Sequence, residues 1–265
     1  MVGHDIVHVL IAPPDTLEIN LVKEAASILN RDPYETRLLL SGKIPKIVAH
    51  YQIVQEAELI AKRLKTLGLV AVVCSDMELR EFPSGRFRAH TLKLGDRDIT
   101  FWDKGGQTKK LETKDVFLIL KGRIHTYIDK EVTNTRMKFN LPATLLTGGF
   151  PVWRKVKEKT KDTSIEVGYF VRLYDRMSLE PRVEIFENYF DYSSLESKIA
   201  SSSFINLNSI IAELRNTFPR AIFDDRLAKP FGTSMASATQ GDEIELNCKL
   251  IYLYYQAVSI LGSPT

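Results

Sequence analysis

Five groups of residues have the types and spacing to do chemistry: one serine among small residues, the histidines, two adjacent aspartates, a lysine run and two cysteines. Ser234 lies in Phe231-Gly-Thr-Ser-Met-Ala-Ser-Ala-Thr-Gln-Gly-Asp-Glu243. A serine hydroxyl attacks a carbonyl only when a base is held against it and a carboxylate orients that base. The available bases are His4, His8, His50, His90 and His125. His8 and His50 fall on the first two predicted strands, where neighbouring strands allow a hydrogen-bonded structural pair. No Cys or carboxylate stands beside them at ligand spacing, so no metal site is assigned. Asp224 and Asp225, in Phe223-Asp-Asp-Arg-Leu227, could hold magnesium or share a proton. Arg226 next door and Arg220 close by make local ion pairing the simpler reading.

The stretch Gly232-Thr-Ser-Met-Ala-Ser237 resembles the nucleophile segment of the subtilisin-like proteases. That resemblance implies an Asp-Ser/Thr-Gly turn, a His-Gly-Thr segment and a proline closing the serine motif. No such aspartate turn exists here, no histidine precedes a glycine, and Ala238 stands where the proline belongs. The match is read as a chance motif in a small-residue linker. No catalytic residue is assigned.

The basic candidates are Arg154, Lys155, Lys157, Lys159 and Lys161 in Trp153-Arg-Lys-Val-Lys-Glu-Lys-Thr-Lys-Asp162, joined by Arg136 and Lys138. Read as an inter-strand loop, this is the chain's one positive patch, a place for an anion or a partner. Each lysine near an anionic surface adds ~1 kcal/mol. Aromatic residues of the kind on which single-stranded nucleic acid stacks are not interleaved with it. Asp103-Lys-Gly-Gly-Gln-Thr-Lys109 has neither Walker spacing nor a following helix, and Ala12-Pro-Pro-Asp-Thr16 replaces any glycine fingerprint after the first strand. No cofactor is expected.

The 265 residues carry 36 basic and 33 acidic side chains, a net charge of +3 too slight to imply nucleic acid or acidic lipid by itself. A hydrophobic fraction of 44 % with 26 % charged is that of a packed protein. Cys74 and Cys248 stand far apart in separate elements and suggest no disulfide framework. No secretory signal is read in the first twenty residues, and no apolar run reaches the ~20 residues of a membrane helix. A cytoplasmic location is the expectation.

The elements that must position these groups begin with Asp5-Ile-Val-His-Val-Leu-Ile-Ala-Pro-Pro14, a strand buried on both faces. Helical patterns with Leu17, Leu21, Ala25 and Ile28, then with Pro33 in the first turn, lead to a strand at Lys43–Tyr51. A third helix, repeating Val54, Ala57, Ile60, Ala61 and Leu64, precedes a strand at Leu69–Ser75. The run from Val22 to Cys74, with Glu56-Ala57-Glu58 and Leu64-Lys-Thr-Leu-Gly-Leu-Val-Ala-Val-Val73, resembles the C-terminal domain of the bacterial ribosomal stalk protein. The order of elements makes a small α/β domain over residues 1–76, and the resemblance implies the same fold. The stalk's glycine- and lysine-rich factor-binding stretch is replaced by Leu29-Asn-Arg-Asp-Pro-Tyr-Glu-Thr-Arg37, so its binding residues do not carry over.

A linker is expected at 77–86. Strand patterns then dominate to about residue 192, and one amphipathic helix follows with Leu207, Ile210, Ile211, Leu214 and Phe218 on a stripe, Asn206 as cap and Pro219 as stop. This order over about residues 87–220 resembles the pleckstrin-homology superfold, whose helix plugs a bent antiparallel sheet, and the domain expected from it spans residues 87–228. The resemblance implies recognition rather than catalysis. After a linker at 229–241, residues 242–265 form a helix apolar on nearly every face, with Leu250, Ile251, Leu253, Tyr254, Tyr255, Val258 and Leu261. It must be buried, either across the junction of the two domains or in a partner or second copy. The fold expected is α+β, and the function that of a non-catalytic protein-binding or scaffold protein. The alternatives are a ribosome- or nucleic-acid-associated factor, or an enzyme around Asp224 and Asp225.

Overall fold

Strand β1 (Val7–Ile11) is buried along its whole length because both its faces are covered by other elements. The computed structural model describes residues 6–80, 85–95, 97–139, 153–229 and 241–261, of which 125–139, 153–166, 241, 242 and 261 are described by backbone alone. The chain divides into two units, Met1–Ile124 with Gly168–Thr265, and His125–Val167.

In the first unit, β1 is the centre of a three-stranded antiparallel sheet, with β2 (Lys46–Tyr51) and β3 (Ala71–Ser75) beside it. Helices α1 (Ile19–Leu29), α2 (Pro33–Leu40) and α3 (Val54–Thr66) supply the apolar cover for one face. Val7, Val9 and Ile11 point there, into a cluster with Val22, Ala25, Ala57 and Leu64. The two-residue period of a strand sends His8 and Leu10 to the opposite face. The first helix has Glu18 at its N-cap position, and its C-cap Asn30 takes a left-handed conformation at φ 51°.

Residues 77–80, expected as linker, continue the chain as helix α4 (Asp76–Arg80). The acidic Asp76 and Glu78 suit its first turn, and burial of Leu79 anchors it. Then come β4 (Arg88–Ala89), β5 (Thr91–Leu94), β6 (Asp98–Trp102), β7 (Thr108–Glu112), β8 (Leu118–Phe139), β9 (Trp153–Tyr174) and β10 (Val183–Phe186). A 3-10 turn at Ser193–Lys198, α5 (Ser203–Thr217), β11 (Ile222–Leu227) and α6 (Gly241–Leu261) complete the order. The class is α+β, as the sequence implies. The antiparallel pattern expected for this half holds for β5-β6-β7, but the five-stranded sheet β11-β8-β9-β10-β4 is mixed. β4 runs parallel to β10 and β11 parallel to β8. Each arrives from a crossover long enough for parallel entry, where a short hairpin would force antiparallel pairing.

Between the two sheets of this half, Phe101, Leu111, Ile119, Leu173 and Ile185 pack with Leu207, Ile210 and Leu214 of α5. Asn206 does not cap α5. The cap residue is Ser202, and the buried Asn206 amide instead clasps the preceding segment, donating to the Ala200 carbonyl at 2.9 Å and accepting from its N–H at 2.7 Å.

Helix α6 fills the space between the β2-β1-β3 sheet and the five-stranded sheet. Leu250 and Leu253 pack on Leu10, Cys74 and Leu79. Ile244, Cys248, Ile251 and Tyr252 pack on Leu118, Leu120, Phe170 and Leu227. Each buried Leu, Ile or Tyr contributes ~1.5–3 kcal/mol relative to exposure, which is why a helix apolar on nearly every face sits here. Among the described residues, no helix is long and apolar enough to cross a membrane.

Candidate functional site

Strand pairing places His8 of β1 directly opposite His50 of β2. Their Nδ1 atoms lie 2.7 Å apart, and the rings stand at 87°. His8 is buried whereas His50, on the edge strand, is exposed. On its other side, the His8 Nε2 lies 3.0 Å from Asp76 Oδ1. Asp76 follows β3 and opens α4, so the second neighbour of β1 delivers the carboxylate. Its Oδ2 holds Arg80 Nε at 2.5 Å, one helical turn on.

The hydrogen bonds fix the tautomers. An ionised carboxylate only accepts, so His8 donates from Nε2 and, when neutral, presents a lone pair at Nδ1. His50 therefore donates from its own Nδ1 and keeps a lone pair at Nε2. Asp76 is held below the usual carboxylate range chiefly by the hydrogen bonds from Arg80 and His8. The ring of His50 is held below its ordinary 6.5 by burial, then by the charges of His8 and Arg31, against the opposing pull of Asp76. The outcome is an Asp76–His8–His50 chain running from a fixed carboxylate to the ring of an exposed histidine. The sequence reading paired the two histidines but missed Asp76, because 68 residues separate it from His8 and only β3 brings it back.

The basic candidates fall on strands rather than on a loop. Arg136 and Lys138 belong to β8, and Arg154, Lys155, Lys157, Lys159 and Lys161 to β9. Their side chains lie outside the described residues. The reason for strand here is visible in the spacing: Lys155, Lys157, Lys159 and Lys161 recur every second residue, so by the period of a strand they share one face. From Arg136 to Lys161 there are seven basic residues and one acid, Glu158, a net +6 in a chain of net +3, so all other residues sum to −3.

The remaining candidates are placed as follows. Leu250, Ile251 and Leu253 are buried inside the protein, Tyr254, Tyr255 and Val258 are half-buried, and the Leu261 side chain lies outside the described residues. Asp224 is buried in β11 and engages its neighbour: Arg226 donates to it from the backbone N–H and from Nε, each at 2.7 Å. The same guanidinium also donates to the Lys43 carbonyl at 2.8 Å. Asp225, pointing the other way, pairs with Lys229 at 2.7 Å. The two aspartates thus serve separate partners instead of one shared proton or ion. Strand β11 itself was not anticipated, since adjacent aspartates are poor strand formers; its parallel pairing with β8 overrides that propensity. Ser234 lies outside the described residues. Among those described, no group of three or more His, Cys, Asp or Glu could hold a metal ion.

A six-residue ionic cluster anchors α6. Arg172 of β9 binds Glu245 through Nη1 at 2.9 Å and also through Nη2, and its Nε meets Glu184 at 2.8 Å. Arg86 bridges Glu245 at 2.7 Å and Glu180 at 2.8 Å. Lys249 reaches Glu180 at 3.3 Å and the carbonyls of Glu78 and Leu79. Three cations meet three carboxylates, so the cluster is balanced. Burial alone would raise the Glu245 carboxyl; Arg172 and Arg86 more than offset that and hold it low. This arrangement is a structural lock and leaves no charge over for a ligand.

No protein-family model matches the chain, and neither a curated protein nor a solved structure matches it.

Proposed function

We propose that this chain is a non-catalytic binding or scaffold protein of the cytoplasm, whose partner-facing element is the basic stretch of β8 and β9 rather than the terminal helix. One observation carries the reading: a +6 stretch stands in a chain whose remainder is −3, with four lysines on one strand face. Helix α6, the other interaction candidate, spends its apolar surface within the protein. The two free, buried cysteines suit a reducing compartment. The partner is a protein with an acidic surface.

The test is titration of a labelled poly-glutamate peptide against the full chain, between about 50 and 200 mM salt. Binding that weakens with salt, and that is lost in the Lys155→Gln, Lys157→Gln, Lys159→Gln, Lys161→Gln quadruple variant, supports the proposal. Equal binding by the variant overturns it, as does no binding at the lowest salt. A labelled RNA duplex in a parallel titration tests the second reading. That reading is favoured by the lysine row, whose members recur about every 6.6 Å along a strand, a regular array suited to successive phosphates. Tighter, lysine-dependent binding to the duplex would replace the protein partner by nucleic acid.

A further inference from the structure

The Asp76–His8–His50 chain goes beyond a binding role. It has the logic of a carboxylate–imidazole–nucleophile triad, with an imidazole in the nucleophile's place. In such a triad the central base takes the proton from one side of the nucleophile, and here that proton sits on His50 Nδ1. The ring conducts the effect. As Nδ1–H gives way to His8, electron density rises at Nε2, the ring nitrogen of this exposed residue that does not face His8. We propose that His50 Nε2 is a covalent acceptor for phosphoryl groups, with His8 as its proton acceptor and Asp76 as the positioning carboxylate.

The phosphoryl class follows from the local charges. Arg31, just past α1, is among the charges that act on His50, and a cation acting on the acceptor favours an anionic donor. The other groups facing the pair are Asp76 and Arg80 of α4, already paired with each other, and Cys74 of β3, opposite His8. Because burial and neighbouring charge hold His50 low, its nucleophilic neutral form prevails at neutral pH.

With phosphoramidate as donor the step balances. The Nε2 lone pair forms the new N–P bond, and the donor's P–N bond breaks with its electron pair leaving on ammonia, from the N-protonated donor. The His50 Nδ1 proton passes to His8 Nδ1, and the resulting imidazolium is held by the Asp76 carboxylate. No oxidant or further reactant is needed.

The experiment incubates the intact protein with potassium phosphoramidate and follows phosphohistidine by peptide mass spectrometry across a pH series. N-acetylhistidine serves as an external standard and His90, which shares its Nδ1 with the Tyr189 carbonyl at 2.8 Å, as an internal one. His50 should label at least about a hundredfold faster than either, the low end of what a positioned base contributes. Asp76→Asn should remove most of that advantage and shift the half-point of the pH profile, which loss of packing alone would not do. His50→Gln should abolish the label. Labelling of His50 no faster than the standards overturns the proposal, and this comparison needs no variant should Asp76→Asn fail to fold. Wild-type labelling in an Asp76→Asn protein with a native melting curve overturns it equally.

Discussion

Arg172, buried in β9, grips Glu245 of α6 with two of its guanidinium nitrogens while its third faces Glu184. This is the electrostatic seam between the terminal helix and the five-stranded sheet. Removing one member of a buried pair strands the other in a poorly solvated site. Arg172→Met should therefore cost about 3–5 kcal/mol, read as a fall in the denaturant midpoint. A double apolar replacement of Arg172 and Glu184 should cost far less, because the remaining Arg86, Lys249, Glu180 and Glu245 still balance in charge.

Helix α6 is a shared wall of two hydrophobic clusters. Deletion of residues 242–265 should expose Leu10, Leu118, Leu120 and Phe170, with loss of cooperative unfolding and strong binding of an apolar dye. A truncated chain that melts cooperatively near the full-length temperature would refute the shared-wall role.

Gly122, paired with Leu227 of β11, leaves the space that the Phe170 ring fills. A Cβ at this position would collide with the ring. Gly122→Ala should destabilise by about 1–3 kcal/mol through overpacking, and Phe170→Leu in the same chain should recover part of the loss. Thermal melts of the two proteins test both halves.

The His50 ring titrates below its ordinary 6.5, so the folded chain binds fewer protons than the unfolded one around that pH. Its contribution is complete above about pH 6.5 and is lost as pH falls toward the folded value. Asp76 is also lowered, from 3.8, so its contribution persists above that pH and disappears in stronger acid. Stability measured from pH 7 to 5 should decline, and His50→Gln should flatten that decline. An unchanged slope in the variant would rule out His50 as its source.

Burial pushes the Cys74 thiol up to about 12 and the Cys248 thiol up to about 11. The thiolate is the reactive form, so neither should alkylate with iodoacetamide at pH 8 in the native protein. Both should react promptly in denaturant. Fast labelling of either under native conditions would contradict its packing.

Much of the architecture was written locally. The alternation from Val7 to Ile11, closed by Pro13 and Pro14, dictates a strand covered on both faces, and the stripe from Leu207 to Phe218 dictates one amphipathic helix. The all-round apolar character of Leu250, Ile251 and Leu253 requires burial, but it does not say against what. The choice between partner and self was made by Leu10 and Phe170, which lie far away in sequence. Periodicity reports which faces are apolar; it carries no distance between elements.

The same division runs through the chemistry. Strand order alone set His8 beside His50, because adjacent strands bring alternate residues into register. Asp76 joined them only once β3 had folded back along β1, whereas the pairing of Asp224 with Arg226, two residues on, was already legible locally. Residue types specify what each group is able to do. Which groups meet depends on long-range pairing, where burial and hydrogen bonding outweigh the local preference of any one segment.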